Sequence, residues 1–346
     1  MTELLLAIDG GNSKTDLALV APDGRVCAAA RRPTVSHQQI GLEEAGRRLR
    51  SQVDELVQAA GVAPSEPRAS LAVLCLAGAD SASDERALRA IHGRSGIATT
   101  VAVENDTMAG LRAGTPEAWG VGVVIGAGIN AIGVAPDGRR ARFAALGPIS
   151  GDRGGGSSLG LDALGAAVRA QDRRGQRTIL ETLVPGHFGL RRPLDVTMAL
   201  YAGRIPHHRI AELAAVLVEA AGHGDAVAVG LLEALAEEVA SFVTSSIRRL
   251  GIARLPVPVV LSGGVARGGG SLLAQPVAEH VRRVAPLAVV TTLHEPPVLG
   301  AALLALDRVA PGDHVAADRV RLELTHDRLT AAGHHGPDHD ERQERN

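Results

Sequence analysis

Apolar residues in this chain come in short, nearly continuous runs, several of which end at a glycine or an acidic residue. Leu4–Ile8, Leu17–Val20, Ala69–Ala77, Val121–Ile125, Ala131–Val134 and Pro256–Leu261 have this form. Runs of this length without alternation predict strands buried on both faces. Cys27–Ala30, Thr99–Val103 and Ala288–Thr292 predict further short strands. Between the runs the period changes. Leu42, Ala45, Leu49, Val53, Leu56 and Val57 recur at helical spacing across Gly41–Ala60 and stop at Gly61. Helices are also predicted for Ser83–Ile91, Thr107–Leu111, most of Ser157–Leu250, after Gly268–Gly270, and for Pro296–Val309. The first half therefore reads β-β-β-α-β-α-β-α. From Pro311 on the chain turns polar and charged, which predicts a disordered tail over 311–346. His334, His335 and His339 fall in that tail and are read as solvated.

The pattern repeats. Val20-Ala21-Pro22-Asp23-Gly24-Arg25 closes the first hairpin, and Val134-Ala135-Pro136-Asp137-Gly138-Arg139 closes a second. Each hairpin is strand, Gly-rich tip, strand and the same turn, so the chain reads as an internal duplication. The first tip carries Asp9, Gly10, Gly11, Asn12, Ser13, Lys14 and Thr15, and the second carries Gly126, Ala127, Gly128, Ile129 and Asn130. Glycines let a ligand approach the backbone, donor-rich loops hold phosphate oxygens, and an adjacent carboxylate suits hydrated Mg²⁺.

Composition sharpens this. Among 36 lysines and arginines, Lys14 is the single lysine. An arginine-rich protein that keeps one compact ammonium in a Gly-rich loop points to a specific use there. Aromatic content is 1%, so base-stacking or sugar-stacking platforms are not expected. A net charge of -2 argues against nucleic acid or an anionic membrane as partner. Cys27 and Cys75 are the two cysteines, so no disulfide framework is implied and a reducing cytoplasm fits. A strand starting within four residues of Met1 leaves no expected signal peptide.

Several loops follow predicted strands: Asp9 with the Lys14 loop, Asp106, the Gly126 loop, Asp152, and Gly263-Gly264. In doubly wound sheets such strand ends converge on one crevice, and duplication would set two crevices face to face. Glycine loops, carboxylates for Mg²⁺ and a separate carboxylate to take a hydroxyl proton suffice for phosphoryl transfer. A P-loop is missing from the sequence. Gly126-Ala127-Gly128-Ile129-Asn130-Ala131 fits G-x-G-x-x-A formally, but a strand follows it, not a helix.

Asp9-Gly10-Gly11-x-Ser-Lys-Thr-Asp, Asn105-Asp106-Thr107-Met108-Ala109-Gly110, Gly126-Ala127-Gly128, Gly151-Asp152 and Ser262-Gly263-Gly264-Val265 occur in this order. Together they resemble the acetate kinase–sugar kinase–actin superfamily, in its N-acetylglucosamine kinase/BadF-type ATPase branch, over roughly residues 3 to 310. The resemblance implies an α/β fold of two ribonuclease-H-like (actin-like ATPase) domains flanking an interdomain cleft. It implies domains at 1–116, with a returning helix 296–310, and at 117–295 with a helical insertion.

It also implies an ATP- and Mg²⁺-dependent cytoplasmic sugar kinase acting on an aminosugar such as N-acetylglucosamine, to give the 6-phosphate. Asp106 would be the general base and Asp9 would position Mg²⁺. Gly10, Gly11, Asn12, Ser13, Lys14, Thr15, Gly126, Ala127, Gly128, Gly263 and Gly264 would hold the nucleotide. Ser36, His37, Asn105, Gly151 and Asp152 would hold the sugar.

The departures fall on the sugar side. Arg153-Gly154-Gly155 replaces Glu-Gly-Ser, Ser36-His37 replaces Asn-His, and the tryptophan expected near Leu146 is missing. Glucosamine, N-acetylmuramic acid and glucose are therefore alternative acceptors. The other readings are a BadF-type dehydratase activator, which needs suitably placed cysteines, and a non-catalytic sugar sensor. A homodimer is left open.

Overall fold

The computed structural model describes residues 3–63 and 67–331. The described chain falls into two compact units. One holds the residues up to Ala79, Ser83–Glu104 and those from Ala301 on; the other holds Asp80–Ala82 and Asn105–Gly300.

The first unit is built on a five-stranded sheet of order β3-β2-β1-β4-β5. Its strands are β1 (Leu5–Gly10), β2 (Lys14–Val20), β3 (Val26–Pro33), β4 (Ala69–Leu76) and β5 (Ala98–Asn105). β1 pairs antiparallel with β2 and parallel with β4. The run Leu5–Ile8 is buried on both faces. Helix α1 (His37–Ile40) is a single turn, which carries no periodicity and was not foreseen. α2 (Leu42–Ala59) buries Leu49, Val53 and Leu56, the positions its spacing marks. α3 (Ala82–Gly93) presents Leu88 to the same core and buries Ile91 as well.

The second unit repeats the plan. Its strands are β6 (Gly120–Ile125), β7 (Ile129–Val134), the unforeseen β8 (Arg140–Arg142), β9 (Pro258–Ser262) and β10 (Val289–Thr292), in order β10-β9-β6-β7-β8. Read from the other edge this is the order of the first sheet. β6 pairs antiparallel with β7 and parallel with β9, as β1 does with β2 and β4. The shared turn also has shared geometry. Ala21 N–H donates to Arg25 O and Gly24 N–H to Ala21 O, while Ala135 N–H donates to Arg139 O and Gly138 N–H to Ala135 O, all at 2.9 Å. Gly24 and Gly138 have φ of 81° and 84°, the left-handed region that favours glycine.

Helices α5 (Gly155–Gln171), α6 (Leu180–His187), α7 (Pro193–Tyr201), α8 (Leu213–Gly222) and α9 (Ala226–Leu250) form the helical part of the second unit. α10 (Gly264–Arg282) starts before Gly268–Gly270 instead of after them. The glycines leave their mark as a break at Gly270, where φ is 47° and ψ is -131°. α4 (Asp106–Ala113) groups with the second sheet, so the expected boundary at 116 does not coincide with this division. The reason is close packing at glycine. A Cβ on Gly122 would stand 2.9 Å from Leu111 Cβ, and one on Gly110 would stand 2.6 Å from Ser262 Oγ.

α11 (Val298–Val309) has most of its length in the first unit. The disordered tail expected from 311 is corrected over 311–331. α12 (His314–Glu323) and α13 (His326–Ala331) are folded onto the start of β3. Glu323 accepts the Val26 N–H at 2.9 Å, Arg328 donates to Val26 O, and Arg319 pairs with Asp23 at 2.8 Å. His334, His335 and His339 lie outside the described residues.

Candidate functional site

In the first unit the candidate residues gather at the β1–β2 tip. Gly11 N–H donates to Lys14 O at 2.9 Å and closes the turn. The segment after β3 clamps it. Thr34 donates its hydroxyl to Gly11 O at 2.7 Å, Ser36 to Asn12 Oδ1 at 2.7 Å, and Gln39 Nε2 to Asn12 O at 2.6 Å. Ser36 therefore stands at the N-cap position of α1 without capping it. His37 packs beside Gly78, where a Cβ would come within 2.7 Å of its ring. Thr15 is fully buried, and its hydroxyl accepts the Val35 N–H at 3.0 Å. Its backbone lies in the ladder between Gly10 of β1 and Arg32 of β3.

The same tip holds a charge cluster that sequence reasoning passed over. Asp9 faces Asp16 across β1 and β2, and Asp16 faces Arg31 across β2 and β3. Directly opposed residues share a face of the sheet, and so do Lys14 and Asp16 two apart. Asp16 is fully buried. It accepts two hydrogen bonds from Arg31, at 2.7 and 3.0 Å, and pairs with Lys14. Burial alone would raise its pKa, but the Arg31 hydrogen bond and the Lys14 charge outweigh it and hold the carboxyl below its ordinary value. The Asp16 hydrogen bond and the nearby Asp9 charge raise Arg31. The signal was available: Lys-x-Asp on a strand puts both charges on one face.

In the second unit, Gly126 N–H donates to Gly128 O at 2.9 Å, and the start of α5 holds the loop from behind. Gly156 N–H reaches Gly126 O at 2.7 Å and Ser157 N–H reaches Ala127 O at 3.0 Å. Gly155, at φ 75°, must be glycine because a Cβ would lie 2.5 Å from Gly128 Cα. Gly263, at φ 98° before α10, must be glycine because a Cβ would lie 2.4 Å from Ile125 O. Gly126, Gly128 and Gly264 differ. Their φ values are not positive, and a Cβ on any of them would meet nothing within 4 Å. The described fold makes no demand for glycine there; a ligand laid against the backbone would.

The same unit carries Asn105 and Asp106. Asn105 caps α4, its Oδ1 accepting from Thr107 N at 3.1 Å and from Thr107 Oγ1 at 2.5 Å. Asp106 is the first helical residue and is half-buried. Asn105 Nδ2 donates to Asp80 Oδ1 at 2.9 Å, and Asn130 Nδ2 donates to the same oxygen at 3.0 Å. Asp80 thus joins Asn105 to Asn130 within the second unit. Gly151, at φ 83°, turns the chain into Asp152. The Asp152 carboxylate accepts from Ser150 Oγ, and its N–H donates to Gly147 O at 3.0 Å.

The family model for the BadF/BadG/BcrA/BcrD ATPases matches residues 6–305. The chain belongs to this ATPase family. Membership implies ATP use, which accords with the open glycines of the Gly126 and Gly264 loops. The chain is 28% identical over 263 residues to the N-acetylmuramic acid/N-acetylglucosamine kinase of Clostridium acetobutylicum, covering 75% of this chain and 85% of that one. It is 24% identical over 314 residues to the N-acetyl-D-glucosamine kinase of Dictyostelium discoideum, covering 88% and 98%. Its fold is that of a Chromobacterium violaceum structure described as a candidate N-acetylglucosamine kinase. The TM-score is 0.64 at 22% identity, over 88% of this chain and 99% of that one. The two five-stranded sheets are thus those of a two-domain, actin-like ATPase fold. Among the described residues no helix is long and apolar enough to cross a membrane.

Proposed function

We propose that this protein is an ATP-dependent sugar kinase that transfers the γ-phosphoryl group to a hydroxyl of an N-acetylated aminosugar. N-acetylglucosamine, giving the 6-phosphate, is the first acceptor to test and N-acetylmuramic acid the second. The observation that carries the reading is that two relatives aligned along most of the chain are both named as kinases of such sugars.

Asp106 would take the proton of the attacking hydroxyl. Its placement supports this, because Asn105 already does the capping. Gly126, Ala127, Gly128, Gly263 and Gly264 would hold the nucleotide, the open glycines giving it a surface to lie on. Gly10, Gly11, Asn12 and Ser13 would offer backbone and side-chain donors to the terminal phosphates, with Lys14 turning from Asp16 toward them. Asp9, a carboxylate facing Asp16 at the same tip, would position a hydrated Mg²⁺. Ser36, His37, Gly151 and Asp152 would meet the sugar. Asn105, with both ends of its amide engaged, would serve it by holding α4 in place. The cytoplasm, where ATP and free sugars meet, is the proposed location.

ADP release should depend on N-acetylglucosamine or N-acetylmuramic acid and be far weaker with glucosamine or glucose. The Asp106→Asn protein should keep its thermal midpoint and lose ~10²–10⁴ in kcat. ATP hydrolysis indifferent to every sugar, or a kcat within threefold of the parent, would sink the reading.

A further inference from the structure

Two asparagine amides of the second unit donate to one carboxylate oxygen, Asp80 Oδ1, from positions 25 and 50 residues away in sequence. An amide has an accepting and a donating end, and here both ends are used. Asn105 turns its oxygen to Thr107 N and Oγ1 and its nitrogen to Asp80. Asn130 turns its oxygen to Ala131 N–H at 2.7 Å and its nitrogen to Asp80, with Asn105 Oδ1 at 3.4 Å. Reversing either amide would set NH₂ against a backbone N–H and carbonyl against carboxylate. An ionised carboxylate only accepts and a backbone N–H only donates, so Asp80, together with the Thr107 and Ala131 N–H groups, fixes which way both amides face. Asn105 is 3% exposed, so water is poorly placed to replace a lost partner.

We infer that Asp80 is a positioning residue for phosphoryl transfer. Through Asn105 and Asn130 it fixes the first turn of α4, and with it the backbone of Asp106, to the β6–β7 hairpin that carries the Gly126–Gly128 loop. The catalytic consequence rests on the sugar kinase reading; the fixing of the two amides does not. The loop partners are suited to it. Gly122 in β6 lets α4 lie close, with a Cβ there only 2.8 Å from Thr107 O, so a small shift of the α4 start carries straight into the hairpin. A displacement of about 1 Å between reacting groups costs a kinase on the order of 10²-fold in rate.

The test compares Asp80→Ala and Asp80→Asn in the full-length protein. Asp80→Ala removes the shared acceptor. It should shift the side-chain amide NMR signals of both Asn105 and Asn130, speed exchange of the Thr107 amide proton, and lower kcat by about 10- to 100-fold at unchanged KM for ATP. Asp80→Asn keeps an accepting oxygen, and should restore both amide signals and most of kcat. In an Asp106→Asn background, Asp80→Ala should cost no further kcat, since it acts through the same group. Unmoved amide signals, a kcat within twofold of the parent, or full additivity with Asp106→Asn would each overturn the inference. If the unsubstituted protein phosphorylates no sugar, the proposed reaction falls, while the amide signals of the two variants still decide whether Asp80 sets the amides.

Discussion

The β1–β2 and β6–β7 hairpins share a closing turn, an antiparallel register and a place in their sheets, yet carry opposite chemistry at matching positions. Counted from the common turn, Asp16 corresponds to Asn130, and their partners across the ladder are Asp9 and Val124. The first hairpin faces two carboxylates toward each other and balances them with Lys14 and Arg31. The second replaces one with valine and the other with a neutral amide tied to Asp80. One duplicated scaffold has thus kept its backbone and divided the work. The charged copy gathers two carboxylates, a lysine and an arginine at its tip. The neutral copy has bare glycine backbone, held from behind by α5. What a duplication preserves is the turn and the pairing, because those fix register. What it frees is the face of the sheet near the tip.

The strongest way to break that contrast is to remove the corresponding residues. Asp16→Ala leaves Arg31 and Lys14 without their buried acceptor and should cost about 3–5 kcal/mol, toward the low end because about a third of each cation reaches water. Asn130→Ala removes a neutral amide and should cost about 1–2 kcal/mol. Urea unfolding with 1 M NaCl added would tell charge from packing, because salt screens the exposed ends of the Asp16 cluster and leaves Asn130 alone. Equal costs for the two substitutions would mean that the charges at the first tip contribute nothing beyond shape.

The strands were legible because their runs are apolar, and the limits of legibility sit where that signal stops. β2 reaches back to Lys14, which pairs with Pro33, but a lysine at a sheet end does not continue an apolar run. The helices of 314–331 read as tail because their few buried apolar residues, Ala316, Val320, Leu324 and Leu329, stand scattered among charges, and part of their hold is on backbone. Glu323 and Arg328 hold Val26 N–H and O, which no side-chain pattern can announce. The site was legible as loops and illegible as a network. Glycines and acids after strands mark themselves, whereas Asp80 and Asn130 meet across 50 residues through one oxygen. The roles of Gly155 and Gly263 became readable only once Gly128 and Ile125 were seen beside them.

Acid sharpens the contrast between the units themselves. His92, at the end of α3 in the first unit, is 1% exposed, and neither ring nitrogen has a hydrogen-bond partner among the described residues. Burial, with a smaller contribution from the His37 charge, pushes its pKa down to about 4 from 6.5. The folded state thus keeps this ring neutral where the unfolded chain would protonate it. Its destabilising effect is nil above pH 6.5, grows as pH falls, and is complete below about 4, at roughly 3 kcal/mol. Among the described residues the second unit buries no histidine to this degree. Hydrogen exchange between pH 7 and 4.5 should therefore loosen β4 and β5 before β6 and β9, and His92→Leu should remove that difference. Parallel loosening of the two sheets in the parent would refute the role of His92.

The smallest effect is the most direct comparison, because it uses one substitution at two copies of one turn. Gly24 and Gly138 have nearly the same positive φ, so alanine should cost each about 1 kcal/mol in backbone strain. Their surroundings differ. A Cβ on Gly138 would meet nothing within 4 Å, while one on Gly24 would fall 2.0 Å from Ala316 O in α12. That oxygen is backbone, so relief requires α12 to move. Moving α12 strains the Arg319–Asp23 pair and the Glu323 hydrogen bond to Val26. Gly24→Ala should therefore cost about 2–3 kcal/mol in all, with the excess arising from the displaced helix. The excess should vanish when both substitutions are made in a chain ending at residue 310, although that chain starts from lower stability. Measured by chemical unfolding, a difference between Gly24→Ala and Gly138→Ala that survives the truncation would show that the two turns differ for a reason within the first hairpin, not because a C-terminal helix rests on one of them.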